Sequence, residues 1–494
     1  MSDLALQLIA DNKRTKAKSL DLGRCGLNAV PTEIRELVWL ESLFLADEWS
    51  EWNGGNWQRT FSRNTGSNNK GLTDLSPLAG LSALQLLFVC DTQVRDLAPL
   101  ASLPALQRLT VSAQKVSNLA PLAGLSRLQE LIVMFTQVSD LAPLTHLPGL
   151  HKLHISGEGI RDLEPLARLP ALQSLNISNT PVSDLSPLAG LPALQELTVF
   201  HSPVGDLAPL AGLQTLQRLD VSHTLVSDLS PLAGLPALQE LTVFHSPVSD
   251  LAPLAGLLTL QKLNVSDTQV SDLAPLANLP ALKELDVSFT KVCDLAPLGG
   301  LPALRSLNVS STKVGDLAPL AGLSALQSLD VSSTPVSDLA PLAGLPALQK
   351  LIVYETTVSD LAPLAGLLAL KSLVFSSMQV IDLAPLASLP ALEELIVPES
   401  PVSDLAPLAG LPALRKLNVS RMLVRDLSPL AEHIRRGVAV KWSLGASRDD
   451  GIYVYNCPLT NPPPEIVKQG NQAILNYFRE RADGVESFVR SQVQ

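Results

Sequence analysis

Apolar positions recur along this chain with a period of 22 residues. Within each period they set out one strand and one tight turn. In Leu238 to Leu260, LQELTVFHSPVSDLAPLAGLLTL, the alternation at Leu241 and Val243 predicts a short strand with both side chains pointing inward. Leu238, Val248, Leu251, Leu254 and Leu257 recur with them in nearly every copy. The return segment carries Asp-Leu-x-Pro or a close relative in seventeen copies, from Asp74 to Asp426, and only Asn118 departs from Asp. The span, 426 − 74 = 352, is 16 steps of 22 with no insertion or deletion. A register held over that distance predicts an α/β repeat solenoid. Its parallel sheet would form the concave face, with short helical or 3-10 turns on the convex face and helical caps, in a horseshoe or superhelix. An Asp ahead of such a turn accepts backbone N–H groups and suits the positive end of the turn. Pro three residues later falls in the first turn, where its missing N–H costs little. Sixteen regular strands plus two irregular ones at each end make about 20, a sheet contour on the order of 95 Å.

The organisation that follows is an N-terminal cap with first irregular repeats at 1–45, an insertion at 46–70 and the array at 71–430. Irregular repeats at 431–461 and a helical cap or linker at 462–494 complete it. Residues 3–19 read as a helix with Leu4, Leu8 and Ile9 on one face. Pro463–Phe478 reads as a second, with Ile466, Val467, Ile474, Leu475 and Phe478 available to cover the last strands. The insertion, ADEWSEWNGGNWQRTFSRNTGSNNK, is polar and carries Trp49, Trp52, Trp57 and Phe61. It fits either a flap over the first strands or a binding loop.

Composition changes this picture in two ways. Aromatics are only 4% of 494 residues, which suits a core of stacked Leu, Val and Ala. The net charge of −11 suggests basic partners, but the Asp column holds 16 of the 47 acidic residues and without it the balance is −11 + 16 = +5. The four cysteines (Cys25, Cys90, Cys293, Cys457) are at least 65 residues apart, so neither a disulfide framework nor a zinc site is expected. Cys25 and Cys457 share a ladder position after the strand that is mostly Thr or Ser, and a buried small hydrophobe is expected at both. The opening residues do not read as a secretory signal and no 18-residue apolar run appears, so a cytoplasmic, non-membrane chain is expected.

The run V-S-D-L-A-P-L-A-G-L-P-A-L-Q resembles the 22-residue leucine-rich repeats of the internalin class, over about residues 72–430. The flanks resemble a second family. LALQLIADNKRTKAKSLDLGRCGLNAVPTEIRELVWLESLFL is similar to the opening of leucine-rich repeat regions in bacterial Roco proteins, and VYNCPLTNPPPEIVKQGNQAILNYF to the segment closing them. That resemblance implies an interaction arm, with nucleotide chemistry left to a Roc GTPase domain. This chain carries no G-x-x-x-x-G-K-[ST] phosphate loop.

On the concave sheet the outward positions fall one before and one after the inner Leu, then one and two after the inner Val. Most are small or polar, and larger groups interrupt them at Phe88, Met134, Phe135, Phe200, Phe244, Phe289 and Tyr354. Exposed aromatics on a polar sheet are candidate anchors for a protein partner, against the plainer reading of scattered surface apolars. His201, His223 and His245 share one column. A metal or pH-sensitive patch is conceivable there, yet LSPLAGLPALQELTVFHSPV occurs at both 185–204 and 229–248, so duplication explains the column without a metal site. Basic residues such as Arg108, Lys152 and Arg218 alternate with Glu130, Glu196 and Glu240, which argues against a continuous phosphate track. No nucleophile–base or acid–base motif appears. The expectation is a non-catalytic scaffold with a protein partner, without cofactor, metal, nucleic acid or membrane.

Overall fold

The computed structural model describes residues 3–53, 56–376, 379–444 and 449–492. It resolves into two compact units, 1–248 and 249–494. In the N-terminal unit, parallel strands follow one another from Ser19–Asp21 and Ser42–Phe44 through Leu86–Cys90 to Glu240–Thr242. Register is held in steps of 22: Leu175 faces Leu197, which faces Leu219, which faces Leu241. The C-terminal unit repeats the scheme from Lys262–Asn264 to Lys416–Asn418, then adds Gly451–Tyr453 and Val440–Lys441. Each inner Leu therefore stacks on its equivalent one repeat away.

The core of one repeat shows why the pattern folds this way. Leu194, Leu197, Val199, Val204, Leu207, Leu210 and Leu213 are all buried. Burial of each such side chain contributes roughly 1.5–3 kcal/mol. The return segment is a 3-10 turn, Ala208–Leu210, with Pro at its start. The acidic column serves each turn. Asp206 Oδ1 accepts the Ala208 N–H at 2.7 Å, and Asp250 Oδ1 the Ala252 N–H at 2.8 Å. Asn118 makes the same contact with Ala120 at 2.8 Å. The column thus lies one residue ahead of the formal cap, Leu207 or Leu251, as a local turn in which the side chain takes the N–H two residues on.

Most strands are three residues long, but Leu86–Cys90, Arg108–Ser112, Glu130–Met134, Lys350–Tyr354 and Ser372–Ser376 run to five. The residue after the inner Leu differs between many of them, although Thr198, Thr242 and Ile396 follow it in three-residue strands. Phe88, Thr110, Ile132, Ile352 and Val374 suit a pleated strand. In many short strands that place is Asn or Asp, whose Oδ1 takes the N–H two residues on and diverts the backbone from the ladder. Asp220 binds the Ser222 N–H at 3.0 Å and Asp286 the Ser288 N–H at 2.9 Å.

Both ends are capped. Helix α1 (Asp3–Thr15) ends four residues earlier than the sequence suggests and buries Ala5, Ile9 and Asn12. Asn12 Nδ2 donates to the carbonyls of Ala17 and Ser19, and Asn12 Oδ1 accepts from Trp39 Nε1, tying the helix to the first strand. At the far end come α2 (Ala431–Arg435), α3 (Pro464–Val467) and α4 (Asn471–Gln492). The single helix expected at Pro463–Phe478 is divided at Gly470, whose φ of +94° closes one helix before Asn471 opens the next. Asn471 Oδ1 accepts the Val440 N–H at 2.9 Å and its Nδ2 donates to the Val438 carbonyl at 2.8 Å.

The insertion forms an antiparallel hairpin, Glu48–Asn53 paired with Asn56–Phe61. It displaces the ladder residue of its repeat, and Asn69 takes over that work. Buried to 1% exposure, Asn69 donates to the Leu22 and Leu45 carbonyls at 2.8 and 2.9 Å and accepts from the N–H groups of Cys25 and Leu27. The sequence signal for it is an Asn three residues before Leu72, where the first regular repeat begins.

Candidate interaction site at the strand ends

After most strands the chain turns through a left-handed residue. In the N-terminal unit these are Arg24, Asp91, Phe135, Asn179, His201, His223 and His245, with φ between 52° and 56°. Left-handed φ disfavours most L-residues and is tolerated best by Asn, Asp and His. The hydroxyl ladder fixes the turn: Thr224 Oγ1 donates to the Val221 carbonyl at 2.5 Å and Ser246 Oγ to Val243 at 2.6 Å. The turn's own N–H bonds the next repeat, from His201 to the Ser222 carbonyl at 3.0 Å and from His223 to Phe244 at 2.8 Å. Cys25 and Cys457, at the ladder's ends, are both buried. Burial pushes the Cys25 thiol up to about 11, helped by Asp21 and Asp47.

This geometry relocates several candidates. Residues two after the inner Val leave the sheet face and sit in the left-handed turn, on the rim where strands end. Phe135, His201, His223, His245 and Phe289 are all there, as is their turn residue's backbone strain. Phe200 and Phe244 lie just beyond strands that stop at Thr198 and Thr242, so they join the rim as well. Met134 and Tyr354 remain within five-residue strands, Met134 half-buried and Tyr354 38% exposed.

Phe88 is not an exposed anchor. It is 1% exposed, because its ring stacks on Phe44 at 5.3 Å and lies 5.9 Å from Trp49. Trp49 also packs 4.5 Å from Phe44, so at Trp49 the hairpin acts as a flap over the first strands. Trp52 and Trp57 are register partners in the hairpin, and their side chains lie outside the described residues.

Five of the candidate residues come together. Phe200 and His223 meet edge to face at 5.0 Å, and His223 and Phe244 at 4.9 Å. His201 lies 5.9 Å from His223, and His245 4.5 Å from it. Phe200, His223 and Phe244 are half-buried, whereas His201 and His245 are exposed. Leu225, two residues on from His223 and 64% exposed, belongs to the same rim and was not singled out by its sequence. Its signal is an apolar residue in a column that holds Pro203 and Pro247 in the neighbouring repeats. Phe135, 64% exposed, stands three repeats from His201. In the C-terminal unit Phe289, 62% exposed, and Tyr354 are in separate repeats and form no such cluster.

Charges on the sheet pair across strands. Arg218 bonds Glu196 and lies 3.5 Å from Glu240, while Arg108 bonds Glu130 at 2.9 Å. Among the described residues, no group of three His, Cys, Asp or Glu is placed to hold a metal ion, and no helix is long and apolar enough to cross a membrane. An open cleft of about 550 Å³ beside the hairpin is lined by Arg24, Asp47, Glu48, Phe61, Lys70 and Asp91, a mixed set. Its Asp47 is committed to the Arg24 and Asn69 N–H groups.

The family model for leucine-rich repeats matches residues 170–212 and 259–300. An internalin from Listeria monocytogenes is 30% identical, over 61% of this chain and 83% of that one, with a TM-score of 0.53. A leucine-rich repeat protein from Leptospira interrogans shares the fold at 19% identity, over 82% of this chain and 94% of that one, with a TM-score of 0.60. No curated protein matches the chain.

Proposed function

The chain belongs to the leucine-rich repeat family, and from that premise we propose that it is a non-catalytic scaffold that docks a partner protein on the rim of its N-terminal unit. The observation that carries this reading is the contact cluster of Phe200, His201, His223, Phe244 and His245, held outside the core at the strand ends. Aromatic groups spend little conformational entropy on binding and dominate interface energetics. Left-handed turns at bulky residues cost free energy, which supports a use for the side chains they display. The paired sheet charges favour a protein partner over a nucleic-acid backbone. The free thiols of Cys25, Cys90, Cys293 and Cys457 support a cytoplasmic setting.

The test is affinity capture from native lysate with wild type and Phe200→Ser/Phe244→Ser, with circular dichroism to check that both are folded. The expected result is loss of specific proteins from the variant; identical recoveries overturn the rim site. A second reading, a recognition arm for a Roco-type GTPase supplied by another chain, rests on the flanking segments. The closing one provides α3 and the start of α4. Its check is co-purification with a separately expressed Roc domain.

A further inference from the structure

We propose that the ring cluster of the N-terminal unit binds a polyproline II segment running across the strand ends, so that the partner presents a proline-rich stretch. This rests on the docking role given to that rim above. Three observations converge on it.

The first is spacing. Phe200 and Phe244 flank His223 at 5.0 and 4.9 Å, one ring per strand. Parallel strands advance about 4.8 Å each, so the two phenyl rings repeat every ~9.6 Å. A polyproline II helix rises about 3.1 Å per residue with three residues per turn, a repeat of ~9.3 Å. Prolines three apart thus meet successive phenyl rings in phase, whereas an extended β-strand, with same-side residues every ~6.7 Å, drifts out of phase at once.

The second is chemistry. A polyproline II backbone has no internal hydrogen bonds and leaves its carbonyls outward. An imidazole carries an N–H donor, and His201 stands exposed beside the Phe200 ring. Aromatic rings with hydrogen-bond donors between them are the surface that pre-ordered proline segments dock on elsewhere in protein recognition.

The third is charge complementarity. The rim cluster consists of phenyl and imidazole rings, with Leu225 beside them. The charged residues of its strands are engaged within the protein, Arg218 with Glu196 and Glu240, and Asp220 with the Ser222 N–H and hydroxyl. An uncharged occupant fits a ring surface whose neighbouring charges are already engaged within the protein.

The experiment measures fluorescence anisotropy of the purified full chain with a labelled, terminally blocked nine-proline peptide. A Gly-Ser peptide of the same length serves as comparator. The expected result is saturable binding of nine-proline alone, little changed from low to high salt, and weakened at least about tenfold by Phe200→Ser/Phe244→Ser. Phe135→Ser, on the same rim three repeats away, should bind like wild type. If the double variant unfolds early, Phe244→Leu keeps apolar bulk, removes the flat ring and should still weaken binding. No saturable proline binding, equal binding of Gly-Ser, or a variant that binds like wild type overturns the proposal. Failure here with a changed capture pattern in the double variant rejects the proline segment and leaves the rim site standing; an unchanged pattern rejects the site itself.

Discussion

Asn118 breaks the acidic column and keeps its hydrogen bond, which identifies the useful atom as one side-chain oxygen rather than a negative charge. Asp250→Asn should therefore melt like wild type and Asp250→Ala should melt earlier, by differential scanning calorimetry. Asn69 carries far more. Removing its side chain leaves two buried carbonyls and two buried N–H groups without partners, and Asn69→Ala should cost about 3 kcal/mol or more by denaturant titration. His154, in the strand Lys152–Ile155, adds a pH dependence. Burial, with the nearby Lys152, lowers its pKa from 6.5 to about 4. The folded state thus holds it neutral while the unfolded chain takes up a proton near pH 6.5. Its contribution is complete above that pH and is lost as pH falls toward 4, on the order of 3 kcal/mol. His154→Gln should flatten stability across that window.

Among the elements, the hairpin at 48–61 shows how sequence and structure part company. Its polar composition and three tryptophans are compatible with a flap or a binding loop. The deciding fact is that Phe88, one repeat away in space but 39 residues on from Trp49, needs a cover. Trp49→Ala should destabilise the N-terminal unit by about 2 kcal/mol and uncover Phe88, detectable as new binding of an apolar dye. The strands were legible from the alternation of inner Leu and Val, and the turns from Asp and Pro. The point at which each strand stops was not. A residue that turns its side chain back on the main chain, as Asp220 does, ends a strand early, but Thr198 and Thr242 end theirs as early without doing so. His223 follows such an aspartate, whereas Phe200 and Phe244 leave the sheet after Thr198 and Thr242.

For the molecule as a whole, unbroken 22-residue spacing made the fold readable, because each repeat repeats the same contacts with its neighbours. Deleting residues 282–303, one full period inside the C-terminal unit, should leave a cooperative transition and an unchanged circular dichroism shape. Deleting half a period should abolish cooperative unfolding. The candidate site was only partly legible. Its rings could be picked out one by one, but their meeting depends on a backbone turn whose left-handed residue carries no fixed letter.

That freedom has a genetic consequence. At near-constant φ the turn accepts Asn, His, Asp, Phe, Ser, Glu and Arg, while the residues beneath it hardly vary. Exchange between gene segments 22 codons long can reorder the displayed side chains without shifting the reading frame or the core. The identical stretches at 185–204 and 229–248, two periods apart, look like the product of such an event over a 44-codon unit. A coding sequence built this way can revise what it recognises by recombination alone.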